Sequence, residues 1–219
     1  MSELKNIKLE IWSDVACPFC YIGKRKFENA LAQFEHKDNV EIEWKSFILD
    51  PNKVSDPNMA LVESLAKRKG ISIDQAKEMG NYATEAAKKV GLKYDFDKTI
   101  VANTTTIHRL LHLAKTKGLQ NEAKETALYA YFTEGKNMDD YNTLLNLGLQ
   151  VGLNSEDIKM VLNTDKYLEE VNQDISEAQQ IGVQGVPFFV FDRKFAVSGA
   201  QDSTVFLNAL QKAVEETDQ

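Results

Sequence analysis

Two cysteines stand in the four-residue stretch Cys17-Pro18-Phe19-Cys20, and they are the only cysteines of the 219-residue chain. Two thiols at this spacing can exchange electrons with a disulfide: one thiolate attacks it, and the other thiol resolves the mixed disulfide. If the stretch begins a helix, unpaired backbone N–H groups and the positive end of the helix dipole lower the pKa of the first thiol. Pro18 suits such a start because its missing N–H would have no partner there. We predict that Cys17 is the nucleophile and Cys20 the resolving thiol.

The residues between the cysteines carry no positive charge, so the predicted lowering of the Cys17 pKa is smaller than a histidine in that place would give. A zinc site is an alternative, because Cys17 and Cys20 together with His108 and His112 would supply two thiolates and two imidazoles. The cysteine pair and the histidine pair lie far apart in the chain, and the residues between the two cysteines are the proline and phenylalanine of a helix start. Both observations favour redox chemistry over zinc binding. Two buried, inert thiols are a further alternative.

The elements around the cysteines are predicted from apolar periodicity. Residues 7–12 and 40–47 alternate apolar and polar side chains, as strands do. Between them, residues 18–36 carry apolar side chains at helical spacing. The run Lys24-Arg25-Lys26 is interpreted as a solvated face of that helix. The chain therefore opens as strand, helix, strand, and the cysteines follow the first strand.

The middle of the chain, residues 53–175, is predicted to be all helical. Asp56-Pro57 is interpreted as a helix cap followed by proline at the first helical position, and Ser72 with Gln75 fits a capping box. Helix ends are marked by glycines of the kind that adopt a left-handed conformation after the last turn, namely Gly70, Gly91, Gly118, Gly135, Gly152 and Gly182.

The end of the chain returns to strands. Residues 187–191 and 194–198 are predicted to form a hairpin around a tight Asp192-Arg193 turn, and residues 202–216 form a last amphipathic helix. We therefore predict an α/β domain made of residues 1–52 and 176–219, interrupted by a helical insertion domain of residues 53–175.

Composition limits the function classes. Apolar residues make up 43% of the chain and charged residues 27%, which is typical of a folded globular protein. The net charge of −7 disfavours binding to nucleic acid or to an anionic membrane. The first residues contain no apolar signal segment, and no stretch has the length of a membrane helix. We expect a cytoplasmic protein without nucleic-acid or membrane partners.

Four motifs follow one another along the chain: residues 13–24 (SDVACPFCYIGK), Asn103-Thr104 with His108-Arg109-Leu110, residues 185–189 (GVPFF) and residues 198–201 (SGAQ). The chain resembles the FrnE-like branch of the DsbA family of thioredoxin-fold thiol–disulfide oxidoreductases. The resemblance implies a thioredoxin-like fold (βαβ … ββα) with a large all-helical insertion. One departure is Phe19, where this branch more often has tryptophan, which affects surface shape and redox tuning.

The resemblance also implies substrate-binding residues. It places a cis peptide bond between Val186 and Pro187 opposite the cysteines, where the Val186 backbone can pair with an extended substrate. A trans proline that opens a strand is the alternative. Phe19, Asn103 and His108 are predicted to line the same cleft, although a buried, hydrogen-bonded histidine is an equally simple interpretation. Asp14 either fixes the loop before Cys17 or relays a proton.

The functional hypothesis is a cytoplasmic thiol–disulfide oxidoreductase of the reductase or isomerase type. It needs no cofactor besides the redox-active Cys17–Cys20 disulfide, and its substrates are protein or peptide disulfides. Glutathione, as a co-substrate, or the thioredoxin system would be the electron partner. Two other hypotheses stay open at this point: a glutathione-dependent isomerase or transferase acting on a small aromatic substrate, and a redox-responsive holdase chaperone.

Overall fold

A computed structural model describes residues 6–215 of the chain. Its central sheet has four strands in the order β2-β1-β5-β6. β1 pairs with β2 in parallel, while β5 is antiparallel to both β1 and β6. The two ends of the chain thus complete one sheet, as predicted. The strands are β1 (Ile7–Ser13), β2 (Val40–Ser46), β5 (Phe188–Phe191) and β6 (Phe195–Ser198).

Helices cover both faces of this sheet, which is why six of the seven residues of β1 are buried. On one face, α1 (Pro18–Leu31) and α9 (Ser203–Glu215) pack against Ile11 and Phe189. On the other face, Trp12 packs against α8 (Leu168–Gln180). The fold is therefore the thioredoxin-like α/β arrangement that the resemblance implied.

The helical segment between β2 and β5 has its own apolar core, which also contacts the start of α1. Ser72 forms the predicted capping box with Gln75, and every glycine predicted at a helix end has a positive φ. The helices are α2 (Leu61–Lys69), α3 (Ile73–Lys88), α4 (Thr105–Thr116), α5 (Gln120–Phe132), α6 (Tyr141–Gln150) and α7 (Ser155–Asn163), followed by α8.

Two predictions of local structure were wrong. Asp56-Pro57 does not cap a helix but lies in β3 (Asp56–Ala60), which pairs with the distant β4 (Ile100–Val101), so the segment is not all helical. The Asp56 side chain accepts a hydrogen bond from Asn58 N, and α2 begins only at Leu61. The helix predicted over residues 18–36 ends at Leu31, because the next residues form tighter turns. A 3₁₀ turn, Lys37–Asn39, leads into β2.

The C-terminal hairpin has the predicted turn. Asp192 and Arg193 have φ values of 48° and 59°, the left-handed conformation of a two-residue hairpin loop. Of the last predicted helix, residue 216 lies outside the described residues. The division into two domains stays a prediction, and its boundary between residues 175 and 176 falls inside α8.

Candidate functional site

The cysteine pair occupies the N-terminal turn of α1. Cys17 is the residue before the helix and has extended backbone angles. Pro18 is the first residue of the helix, as predicted. Cys20 N donates to Cys17 O at 3.0 Å, and Cys17 N donates to Asp14 O at 3.2 Å. Both cysteines are free thiols. Cys17 is 5% exposed and Cys20 is fully buried, so Cys17 is the thiol that a substrate can reach.

The loop before β5 faces Cys17. The Val186–Pro187 peptide bond is cis, the conformation that the resemblance implied. Cys17 Sγ donates a hydrogen bond to Val186 O at 3.4 Å. Pro187 is tied to the end of β6, because Gly199 N donates to Pro187 O at 2.8 Å. The nucleophile candidate therefore adjoins the backbone that was predicted to pair with a substrate.

The two thiols ionise in the opposite order to the one predicted from the helix start. The hydrogen bond with Cys20 and burial raise the pKa of the Cys17 thiol well above its ordinary value. Burial also opposes ionisation of Cys20, but the hydrogen bond with Cys17 and the positive charge of Lys124 outweigh it and lower the pKa of Cys20. The predicted lowering at Cys17 is not found, because the hydrogen bond with Cys20, burial and the charge of Asp14 oppose its ionisation, whereas the charge of Lys124 favours ionisation of Cys20.

Lys124, in α5, is the residue that sequence analysis missed. Its side chain is fully buried, and its Nζ donates to Ser13 O at 3.4 Å. Burial lowers the pKa of Lys124 to about 8, although the charges of Cys20 and Asp14 oppose that shift. The available signal was its position between Ala123 and Ala127 on the apolar side of a helix, where lysine is unusual.

Asp14 fixes the loop that precedes Cys17. It is buried, and its carboxylate accepts hydrogen bonds from Ala16 N at 3.1 Å and Leu49 N at 2.8 Å. His108 Nε2 lies 3.5 Å from the same carboxylate. The His108 ring is 1% exposed, and burial lowers its pKa. In this position His108 contacts Asp14 rather than an open cleft.

Phe19 and Asn103 lie in different surroundings. Phe19 is half-buried, and its ring centroid lies 6.1 Å from that of Tyr82 in α3, a ring that is 70% exposed. Phe19 therefore forms part of the surface beside Cys17. Asn103 holds a loop together: Asn103 Nδ2 donates to Lys53 O at 2.9 Å, and its Oδ1 accepts from Thr105 N at 2.8 Å.

His112, the other histidine of the zinc alternative, points towards β2. Its Nε2 lies 3.1 Å from both Ser46 Oγ and Asp174 Oδ2. Each histidine of the pair thus has its own carboxylate partner. Within residues 6–215, no group of three or more His, Cys, Asp or Glu side chains is arranged to hold a metal ion.

The run Lys24-Arg25-Lys26 is not simply a solvated face. Lys24 is 2% exposed, and its Nζ lies 2.7 Å from the Glu125 carboxylate of α5. Arg25 also forms an ion pair with Glu125. Tyr21 Oη donates a hydrogen bond to the same Glu125 carboxylate at 2.6 Å. This cluster joins α1 to α5 and so fixes the helix that carries Lys124 beneath the cysteines.

The sequence model of the DSBA-like thioredoxin domain matches residues 8–211. The chain belongs to this DsbA-like thioredoxin domain family. It is an enzyme, a thiol–disulfide oxidoreductase. The assignment to the FrnE-like branch of the family stays a prediction.

Similar DsbA-like proteins come from several bacteria. The crystal structure of a probable DsbA oxidoreductase from Streptomyces coelicolor is 38% identical, with a TM-score of 0.89, covering 96% of this chain and 91% of that one. The uncharacterized protein YwbO of Bacillus subtilis (strain 168) is 27% identical over 94% of this chain and 96% of its own. The cytosolic disulfide reductase DsbM of Pseudomonas aeruginosa shares the fold at 14% identity, with a TM-score of 0.64 over 96% of this chain and 97% of that one.

Among the helices that the structure describes, none combines the length and the apolar character needed to cross a bilayer.

Proposed function

We propose that the protein is a cytoplasmic disulfide reductase or isomerase that acts on protein or peptide disulfides through Cys17 and Cys20. The observation that carries the proposal is the position of Cys17: it is the more exposed thiol, and its Sγ lies 3.4 Å from Val186 O, beside Pro187. A substrate strand paired with the Val186 backbone would present its disulfide to this sulfur.

The order in which the two thiols ionise determines the proton transfer in the first step of the reaction. The pKa of Cys20 is lowered and that of Cys17 is raised, so Cys20 gives up its proton before Cys17 does. As Cys17 sulfur attacks a disulfide, a Cys17–substrate bond forms, the substrate S–S bond breaks, and the Cys17 proton passes to Cys20. The leaving substrate thiolate takes a proton from solvent. Cys20 thus acts as the base for the first step.

The second step resolves the mixed disulfide. Cys20 releases its proton to solvent and attacks Cys17 Sγ, so the Cys17–Cys20 bond forms and the Cys17–substrate bond breaks. The second substrate thiolate leaves and takes a proton from solvent. The substrate is reduced by two electrons and the enzyme is oxidised by two. Two glutathione molecules, or a thioredoxin, would return the enzyme to its dithiol form.

Glutathione is the electron partner that we favour. A structure of the similarly folded DsbM protein was determined with GSH. Cytosolic glutathione has a potential of roughly −220 to −320 mV, so a pair with a higher potential stays reduced at rest and acts as a reductase or isomerase.

The test is the oxidised fraction of Cys17–Cys20 after equilibration in a series of glutathione redox buffers containing a chelator, measured by thiol alkylation and mass spectrometry. We expect a single reversible transition with a midpoint above the cytosolic range. A midpoint below that range would contradict the reductase assignment. Thiols that become alkylatable only as zinc is released would favour the zinc site instead. Saturable glutathione binding by a Cys17→Ser, Cys20→Ser protein, with turnover of an aromatic substrate, would favour the transferase hypothesis.

A further inference from the structure

Tyr94 ties the inserted helical segment to the turn that carries the cysteines. It lies in the loop between α3 and β4, and its Oη donates a hydrogen bond to Pro18 O at 2.7 Å. Pro18 O belongs to a peptide unit between the two cysteines. The hydrogen bond therefore reaches into the reactive turn itself.

The phenol of Tyr94 has a fixed position. Its ring stacks on that of Phe132 with a centroid distance of 4.7 Å. The chain on either side of it is bound to the end of α5: Asp95 N donates to Phe132 O at 2.8 Å, and Thr133 Oγ1 donates to Lys93 O at 2.7 Å. Burial and the charges of the cysteines raise the pKa of Tyr94, so its hydroxyl keeps the proton that it donates.

The peptide that Tyr94 holds also carries a donor for the nucleophile. Cys17 is the residue before α1. A side chain at that place can accept hydrogen bonds from the N–H groups of the second and third helical residues, which here are Phe19 and Cys20. The Phe19 N–H and the Pro18 carbonyl belong to one planar peptide unit. A hydrogen bond to the oxygen therefore fixes the direction of the N–H and polarises it.

In the thiol form, Cys17 does not yet cap the helix. Its proton goes to Val186 O, and its side chain makes no capping hydrogen bond. The hydrogen bond with the Cys20 thiol and burial raise the pKa of Cys17, whereas the backbone N–H of Cys20 lowers it. The N–H groups of the turn become important when negative charge develops on the Cys17 sulfur, as it attacks a disulfide or leaves from one.

We propose that Tyr94 is a positioning residue for thiol–disulfide exchange, whose phenol holds the peptide after Pro18 so that the N–H groups at the start of α1 stabilise negative charge on Cys17 Sγ. This inference rests on the proposed function. The phenol exchanges no proton or electron with the substrate, because it acts through the peptide that it binds. The inserted segment thereby contributes to the reactivity of the nucleophile.

The experiment measures the pKa of Cys17 in a Cys20→Ser protein, where this thiol titrates alone. The rate of its alkylation by iodoacetamide is followed against pH by mass spectrometry, with and without the further substitution Tyr94→Phe. Thr133→Val is the matched control, because it removes the hydrogen bond to the neighbouring Lys93 O and leaves the cysteine turn untouched. Urea unfolding and steady-state reduction of a peptide disulfide are measured for the single variants with both cysteines present.

For Tyr94→Phe we expect the midpoint of Cys17 alkylation to rise by about 0.5 pH units, which corresponds to an about threefold smaller thiolate fraction at neutral pH. The limiting rate at high pH should not fall, because the nucleophilicity of a thiolate increases with its pKa. With both cysteines present, kcat should fall by about threefold at an unchanged KM. Thr133→Val should lower the urea midpoint as Tyr94→Phe does, since each loses one hydrogen bond, and should keep wild-type alkylation and kcat.

Equal alkylation midpoints with and without Tyr94→Phe would overturn the inference, and so would an equal rise in Thr133→Val. Both results leave the proposed function in place, which fails instead if the wild-type pair shows no reversible transition in the glutathione buffers. If Tyr94→Phe does not fold, the Cζ resonance of Tyr94 can be followed by NMR in the Cys20→Ser protein, where it should shift at the midpoint of Cys17. A resonance that does not move through that midpoint would contradict the inference.

Discussion

Gly23 lies directly against Pro187: a Cβ atom placed on Gly23 would be 2.9 Å from Pro187 Cγ. Gly23 stands in the second turn of α1, where glycine lowers helix stability relative to alanine. Its absent side chain lets the helix that carries the cysteines approach the loop that carries Val186. In this arrangement Cys17 Sγ lies 3.4 Å from Val186 O.

We expect Gly23→Ala to push α1 away from Pro187. Disulfide reduction should fall by about tenfold or more, because small displacements of reacting groups are costly, and the protein should lose about 1–3 kcal/mol of unfolding free energy from overpacking. Steady-state kinetics and urea unfolding measure the two effects.

Gly80→Ala is the matched control, since Gly80 also lies inside a helix but its Cβ would meet Phe96 at an ordinary 3.6 Å. That variant should be more stable by about 0.5–1 kcal/mol and fully active. Equal behaviour of the two variants would show that Gly23 is not required for close packing.

The cysteines should have different roles in a trapping experiment. Cys17→Ser should abolish turnover, because the reachable nucleophile is gone. Cys20→Ser should accumulate a mixed disulfide between Cys17 and the substrate, detected by mass spectrometry, because the resolving thiol is missing. A mixed disulfide that forms on Cys20 in Cys17→Ser, and not in the converse variant, would reverse the assignment.

Asn103 is expected to act in the loop rather than on a substrate. Asn103→Ala removes its hydrogen bonds to Lys53 O and Thr105 N, so the free energy of unfolding should fall by about 1–3 kcal/mol. Asn103→Asp keeps the acceptor for Thr105 N, so its free energy of unfolding should fall by less. The KM for a disulfide substrate should stay unchanged in both. A raised KM with wild-type stability would instead support the substrate contact predicted from the sequence.

Acid stability should depend on Glu43. Burial opposes its ionisation, but hydrogen bonds from Lys115 and Lys8 lower the pKa of Glu43 to about 2. A carboxyl whose folded pKa is below its unfolded value stabilises the fold at neutral pH, and this contribution disappears as pH falls from about 4.5 towards 2. Glu43→Gln should therefore be less stable at pH 7 by roughly 1–3 kcal/mol and should show a shallower loss in acid.

Urea unfolding at a series of pH values measures this difference. Glu41→Gln, at an exposed position of the same strand, is the control and should follow the wild-type curve. A Glu43→Gln curve parallel to the wild type throughout would contradict the assignment.

Most elements near the cysteines could be predicted because their signals are local. The alternation in β1, the proline after Cys17 and the Asp192-Arg193 turn each act within a few residues, and the structure follows them. The pairing of the two chain ends followed once both halves of the sheet had been recognised.

The errors arose where a distant partner decides. Asp56-Pro57 has the residue types of a helix cap, but β4 supplies a strand partner that no local pattern contains. Lys24 was predicted as solvated because Glu125, its partner, is far away in the chain. Lys124 was missed for the same reason. The sequence shows a lysine on the apolar side of a helix, and only the folded structure shows its electrostatic interaction with the cysteine pair.

The pairing of β1 with β5 has a consequence for synthesis. Leu9 pairs with Phe191, so the antiparallel neighbour of β1 is made only after the helical segment between β2 and β5 has been translated. Contacts of such high contact order form slowly and after local ones. A nascent chain released before β5 emerges would leave one edge of β1 unpaired, which exposes it to aggregation. The cysteine pair is translated before this helical segment, but it gains the backbone of Val186 only after the segment has been made.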